Sequence, residues 1–299
     1  MRGAGLHGWL IVDKPVGPTS AAVVGRLKQA LRAGGHGRVK IGHGGTLDPL
    51  ASGVLPIALG EATKLAGQLL NGPKAYRFTV AWGAATETDD AEGAVTATSE
   101  VRPDAAAIRG MLPRFAGTIA QTPPAYSALK VGGRRAHALA RAGAPPVLAP
   151  RAVTIHRLAL VAADVDAATF DVACSKGTYV RSLARDIAQA LGTVGHVAAL
   201  RRTAAGPFSV EQARPLDKCL ELVHGPAPGQ ALLPLTAGLD DIPVLAVDRH
   251  EALALKQGRR IVAPAAKPGR HIATLGSVPV ALVEVSDGDV RVVRGFNLD

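Results

Sequence analysis

Cysteine is almost missing from this chain: 299 residues contain two, Cys174 and Cys219, and no CxxC pair. That argues against a disulfide framework and a cysteine-based zinc site. Aromatic residues are scarce too, at 3%, which leaves Ala and Val to fill the core. No apolar run approaches the ~18 residues a membrane span needs, and the N-terminus lacks the apolar core of a signal peptide. A cytoplasmic protein is expected. The glycines of residues 34–53 fit neither GxxxxGK[ST] nor GxGxxG. His36 and His43 have no carboxylate at HExxH spacing, and Ser52 is not in a GxSxG elbow because Leu50 holds the first glycine position. No cofactor and no metal are called for.

Acid is missing from one long stretch. Residues 105–163 hold no Asp or Glu, against eight basic residues: Arg109, Arg114, Lys130, Arg134, Arg135, Arg141, Arg151 and Arg157. A solvated face normally mixes signs, so a one-sign run of this length points to phosphate contact. The whole chain agrees, with 34 Lys and Arg against 24 Asp and Glu and a formal net charge of +10. A polyanionic partner is expected, nucleic acid first and an anionic membrane surface second. The membrane reading fits less well, because the basic residues lie in loops and not along one amphipathic helix.

What is present reads as a succession of short elements. Trp9-Leu10-Ile11-Val12 is a buried strand. Thr19 or Ser20 caps a helix with Val23, Val24, Leu27, Ala30 and Leu31 at helical spacing, closed by Gly34-Gly35. Residues 54–59 read as an apolar strand, 60–70 as one helix, 76–82 as a half-buried strand and 95–101 as another. Residues 86–93 carry Glu87, Asp89, Asp90 and Glu92 without the ligand spacing of a calcium loop, so a solvated acidic loop is expected. A helix runs from Pro103-Asp104 to about 114. The acid-free segment 121–150, rich in Pro and Gly, reads as a projecting, mobile insertion with a short helix at 135–141. Strands at 153–161 and 168–174 precede a helix at 182–191. Residues 195–203 read as a turn and then a basic segment, and a helical patch follows near 216–223. From about residue 243 the pattern changes to a helix at 249–256 and strands at 271–275, 278–285 and 290–293. Turn signals at Gly276 and Asp287-Gly288 separate these strands, making a mostly β module of under sixty residues.

One loop stands apart. Gly42-His43-Gly44-Gly45-Thr46-Leu47-Asp48-Pro49-Leu50-Ala51-Ser52-Gly53 contains too much Gly and Pro for a helix or strand to run through it. Asp48 is the only acid between Asp13 and Glu61, in a window with six cations: Lys14, Arg26, Lys28, Arg32, Arg38 and Lys40. Nearby positive charge favours the carboxylate anion, a useful state for a nucleophile or base. On composition alone, the favoured reading is that Asp48 turns the chain before Pro49.

The pattern His43-x-Gly45-Thr46-Leu47-Asp48-Pro49-x-Ala51-Ser52-Gly53, followed by Leu55-Pro56 and Gly60-Glu61-Ala62-Thr63-Lys64, resembles the signature of the TruB family of tRNA pseudouridine synthases. So do the run PPAYSALK at 123–130, Ser175-Lys176-Gly177-Thr178-Tyr179-Val180-Arg181, and Gly195-His196-Val197-Ala198-Ala199-Leu200-Arg201-Arg202-Thr203. The resemblance covers roughly residues 8–215. It implies an α+β pseudouridine synthase fold: a mixed, largely antiparallel sheet with flanking helices and a thumb insertion, plus a small C-terminal β-rich PUA-like domain. The expected division is a catalytic domain at 1–242, with the thumb at about 121–150, and an RNA-binding tail at 243–299.

The implied activity is conversion of uridine 55 in the T-loop of tRNA to pseudouridine, without cofactor or guide RNA, by a monomer. Asp48 falls on the catalytic aspartate. Attack at C1′ or C6, or support of deprotonation at C2′, all remain open to it. Arg181 is its expected charge partner. Tyr76 would stack on the everted uracil or take the C5 proton, Tyr179 and Leu200 would wall the pocket, and His43 would fill the gap left in the base stack. Asp90 would lie beside the RNA cleft. Lys64, Lys130, Arg134, Arg135, Arg141, Arg201 and Arg202 would contact RNA. The competing readings are a non-catalytic RNA-binding module and a guide-dependent relative, the latter disfavoured by the thumb insertion.

Overall fold

The computed structural model describes residues 5–239 and 242–298. Its contacts divide the chain into two compact units. One takes residues up to 47, 54–70 and from 206 onward; the other takes 48–53 and 71–205.

In the first unit, the strand Gly8–Lys14 is buried along its apolar run and pairs in parallel with Arg214–Pro215. The helix Ser20–Ala33 starts where the Thr19 hydroxyl accepts the Ala22 N–H at 3.0 Å. Its Val23, Leu27 and Leu31 repeat every four residues and are buried. It closes at Gly34, where a Cβ would lie 2.2 Å from the His224 carbonyl oxygen, so no larger residue fits. The expected helix at 60–70 is instead a 3₁₀ turn, Gly60–Lys64, and a short α-helix, Ala66–Asn71. Side chains account for the tightening: the Thr63 hydroxyl donates back to the Gly60 carbonyl at 2.7 Å.

The last part of this unit is a separate five-stranded sheet in the order Val244–Ala246, Gly269–Leu275, Val278–Ser286, Asp289–Gly295, Ile261–Val262. The helix Arg249–Lys256, opened by an Asp248/Glu251 capping box, packs Ala252 and Leu255 onto Val280, Val283 and Val290. The hairpin at Asp287-Gly288 has positive φ at both residues, 51° and 81°, the geometry that favours an Asp-Gly pair.

The second unit is built on antiparallel strands. Lys74–Trp82 lies between Gly195–Ala205 and Ala167–Cys174; Arg151–Ala163 and Gly117–Gln121 continue the sheet beyond Ala167–Cys174. One parallel pairing joins Ala51–Gly53 to Leu200–Arg202. Alternation places Phe78, Val80 and Trp82 on the inner face, and Phe78 stacks on Phe170 at 5.2 Å. The helix Val180–Ala190 buries Leu183, Ala184, Ile187 and Ala188. The mixed α+β class is therefore as expected.

Three local expectations are corrected. Residues 195–203 belong to a central eleven-residue strand, Gly195–Ala205, and do not form a turn. Two irregularities in its pairing, at Val197/Ala199 and Arg202/Ala204, break the alternation that would have marked it. The loop at 86–93 is not solvated at its centre, since Thr86 and Asp90 are buried. The insertion does not project from residue 121 onward either. Gln121, Pro123, Pro124 and Ser127 are buried, and the exposed part begins nearer the hairpin Lys130–Val131/Arg134–Arg135.

Gly53 pairs with Arg202 where the Asp48 segment joins the sheet. Its φ is +101°, and a Cβ there would lie 2.2 Å from the Arg202 carbonyl oxygen. Gly53→Ala is expected to cost about 2 kcal/mol or more through strain and overpacking, seen as a lowered thermal midpoint. An unchanged midpoint would show that this approach is looser than described.

Candidate active site

Asp48 ends the glycine-rich loop just before the strand Ala51–Leu59, and its backbone carbonyl accepts the Ala51 N–H at 3.1 Å. Its side chain is 40% exposed, and its Oδ2 lies 3.0 Å from Arg181 Nη2. It is thus a carboxylate with one face held and the other open.

Arg181 is the second residue of the helix Val180–Ala190 and is only 5% exposed. Burying a guanidinium requires partners for its N–H groups. Nη1 donates to the Thr88 carbonyl at 2.8 Å and lies 3.4 Å from Asp90 Oδ2; Nη2 donates to the Tyr126 carbonyl at 3.0 Å as well as to Asp48. Arg181 thus lies between two carboxylates, Asp48 and Asp90.

Asp90 is 3% exposed. Its Oδ1 accepts from the Glu92 N–H at 3.0 Å and from the Thr88 hydroxyl, and its backbone is bridged to Val197. It therefore lies behind Arg181 as an internal counter-charge, not at an RNA-contacting surface. Asp89 carries a positive φ of 58° and accepts from Val197 N–H at 3.1 Å through its carbonyl. Its carboxylate pairs with Arg185 Nη1 at 3.0 Å. Burial pushes the Asp89 carboxyl above its usual range, against the opposing pull of Arg185 and Arg181.

Tyr76, on Lys74–Trp82, stands opposite Val172 and Arg202 in the sheet register. Burial pushes its phenol above the ordinary value; Arg202 opposes this and the Asp48 charge adds to it. The ring is thereby kept as a neutral phenol in the electrostatic reach of Asp48. Tyr179 precedes the arginine helix. Gln121 grips its backbone at both N–H (2.8 Å) and carbonyl (3.1 Å), and Arg151 lies 5.0 Å from its ring centroid. Leu200 pairs with Ala51 on one side and Phe78 on the other, and is buried.

The remaining candidates are distributed differently. Arg202 is 1% exposed, so it is an internal cation beside Tyr76 and Lys74 and not a surface phosphate contact. Burial, with Arg202 acting in the same direction, lowers the Lys74 ammonium to about 8. Arg201 faces Ser52 and Arg77. Lys130, Arg134 and Arg135 form the exposed hairpin, and Arg135 Nη1 donates to the Ala128 carbonyl. Arg141 ends the following helix, Ala136–Arg141. In the first unit, Lys64 is tied to Glu61 at 2.6 Å and to the Gly295 carbonyl at 2.8 Å, and His43 ends the strand Ile41–His43.

Sequence reasoning missed Gln121, Arg185, Asp89 and the carbonyls of Thr88, Thr122 and Tyr126. A signal existed for two of them: Arg181 and Arg185 are four residues apart on one helix face, and Asp89 and Asp90 are adjacent acids. Among the described residues, no three or more His, Cys, Asp or Glu side chains gather as a metal site.

The chain matches the TruB family pseudouridylate synthase (N terminal domain) over residues 31–180. It matches the tRNA pseudouridylate synthase B C-terminal domain over 181–237. It is 54% identical over 298 residues to tRNA pseudouridine synthase B of Novosphingobium aromaticivorans, covering 98% of each chain. It is 52% identical over 292 residues to the protein of that name from Zymomonas mobilis, covering 98% of this chain and 96% of the other. Among solved structures, it resembles a chain of an H/ACA RNP bound to a substrate RNA containing 2′-deoxyuridine. The TM-score is 0.74 at 25% identity, covering 97% of this chain and 85% of that one. A chain of a Cbf5-Nop10-Gar1 complex gives the same TM-score at 26% identity, covering 97% of this chain and 84% of that one.

Arg181→Met leaves Asp90 buried without its cation and should cost about 3 kcal/mol or more in denaturant unfolding. Adding Asp90→Asn should recover part of that loss. Equal stability of the single variant and the parent chain would contradict the buried pair.

Proposed function

The chain belongs to the TruB family of pseudouridylate synthases, and on that premise we propose that it isomerises uridine 55 in the T-loop of tRNA. In this reading it is an isomerase of tRNA uridine that works as a monomer in the cytoplasm, with no cofactor and no guide RNA, and Asp48 is its catalytic carboxylate. Residues 1–242 act as the catalytic domain and 243–299 as an RNA-binding tail. The carrying observation is the position of Asp48: a half-open carboxylate held 3.0 Å from a buried arginine that has its own second counter-charge in Asp90.

The reaction breaks the N1–C1′ bond, rotates the freed uracil and joins C5 to C1′; N1, which carried no proton while bonded to the sugar, takes one up, and C5 releases its proton to solvent. Atoms and electrons balance without an oxidant, a reductant or water. What the protein must supply is an ionised carboxylate at a fixed position against the ribose or the base. Charge-assisted bonds from Arg181 provide the aim, and Asp90 keeps Arg181 from following Asp48 as it reacts. The base must leave its stack to arrive there. Tyr76, held as a neutral phenol, suits a stacking platform better than a phenolate base at neutral pH, and Tyr179 and Leu200 are the proposed walls.

Phosphate binding is supported from both units. The acid-free hairpin presents Lys130, Arg134 and Arg135 in one, and a cavity of about 390 Å³ in the other is lined by Lys28, Arg32, Arg38 and Lys40. The stand-alone reading is supported by the 52–54% identity to proteins named tRNA pseudouridine synthase B, against 25–26% for the ribonucleoprotein chains.

The test is an unmodified tRNA transcript carrying tritium at C5 of its uridines. One equivalent of label per tRNA should be released without any added cofactor, and Asp48→Asn should release none. Wild-type release by that variant would end the assignment. Replacing Arg134 and Arg135 by Ala should weaken tRNA binding and reduce the slope of log K against log salt by about 1 to 2. Unchanged affinity and slope would exclude the hairpin from the interface.

A further inference from the structure

Resting on the reading of Asp48 as the catalytic carboxylate, we propose that Arg185 is a positioning residue: it engages Asp89 so that this carboxylate does not draw Arg181 away from Asp48. Two arginines on one helix face meet two consecutive aspartates, and the pairing is ordered. Arg181 Nη1 lies 3.4 Å from Asp90 Oδ2, while Arg185 Nη1 lies 3.0 Å from Asp89 Oδ2. Arg185 is itself fixed by Asp186, at 3.0 Å from Nε and 2.9 Å from Nη2, and by the Thr122 carbonyl, at 3.0 Å from Nη2.

Asp89 cannot turn aside. Its φ of 58° is set by hydrogen bonds from its own N–H to the Thr86 carbonyl and from the Val197 N–H to its carbonyl. Its side chain is 15% exposed, against 40% for Asp48. A poorly solvated anion attracts a nearby cation more strongly than a solvated one does. Both Arg185 and Arg181 act on the Asp89 charge; with Arg185 removed, Arg181 is the one left. It would then be drawn toward Asp89, and Asp48 would lose the partner that aims it. The Thr122 carbonyl also accepts from Ser182 Oγ at 2.8 Å. The same helix face therefore anchors the start of the insertion whose Tyr126 carbonyl receives Arg181.

The full-length protein and the tritium-release assay test this. Arg185→Gln should lower kcat by about tenfold or more with KM changed less than about threefold. Adding Asp89→Asn to that variant should restore most of the lost kcat, because it removes the competing charge with a side chain of nearly the same shape. A purely structural role for the Arg185–Asp89 pair predicts a lowered unfolding midpoint in Arg185→Gln with kcat per folded molecule unchanged. An unchanged kcat in Arg185→Gln, or a double variant no faster than the single one, overturns the proposal. Should Arg185→Gln fail to fold, Arg185→Lys takes its place, keeping a cation beside Asp89. Its kcat should fall by less than about threefold, and a larger loss that Asp89→Asn does not relieve overturns the proposal. Asp48→Asn is run alongside. Its inactivity leaves the proposal to be decided by the Arg185 variants alone, and wild-type activity in it removes both readings.

Discussion

Arg181 carries a permanent positive charge at 5% exposure, and the second unit is arranged to satisfy it. Its partners come from three separate places in the chain: Asp48, the turn at Thr88–Asp90, and Tyr126. Removing such a cation from water costs several kcal/mol, which is offset only when each N–H finds an acceptor in good geometry. Satisfying it therefore fixes the loop, the turn and the base of the insertion to one another. Of the two carboxylates that pair with it, Asp48 is 40% exposed and Asp90 only 4%.

Backbone placement makes that cluster possible. The turn at 86–93 is bonded to the strand Gly195–Ala205 through Asp89, Asp90, Ala91 and Val197. The same strand holds Ala51–Gly53 in parallel pairing and Tyr76 through Arg202. Gly53 and Arg202 pair so closely that no side chain fits between the Asp48 segment and the strand. A single strand thus sets the distance between the carboxylate, the tyrosine and the counter-charge behind the arginine. Rigid elements of this kind hold a reacting group more accurately than a free loop would.

Local signals made some elements legible. Thr19 with Val23, Leu27 and Leu31 shows both the cap and the buried stripe of the helix Ser20–Ala33. The alternation Tyr76-Arg77-Phe78-Thr79-Val80-Ala81-Trp82 shows a strand with one inner face. Asp-Gly at 287–288 marks its hairpin by the backbone angles it tolerates. Less was legible where buried polar residues stand in for apolar ones. Arg202 and Asp90 look like surface residues by type, and what makes them internal is a partner distant in sequence. The expected solvated loop failed for that reason, and in the basic segment it added to the two pairing irregularities that hid the strand's alternation.

The amino-acid order alone determined the helices and strands with clear periodicity and the cationic character, which depend on interactions within a few residues or on summed charge. The α+β class and the weight given to the loop bearing Asp48 came from the resemblance of its motifs to a family. Only the tertiary structure decided that Asp90 stands behind Arg181, that Gln121 holds Tyr179, and that Arg185 takes Asp89 for itself. These pairings join residues 58 to 96 positions apart. No local propensity encodes them, because the energy of a buried charge depends on what the fold places beside it.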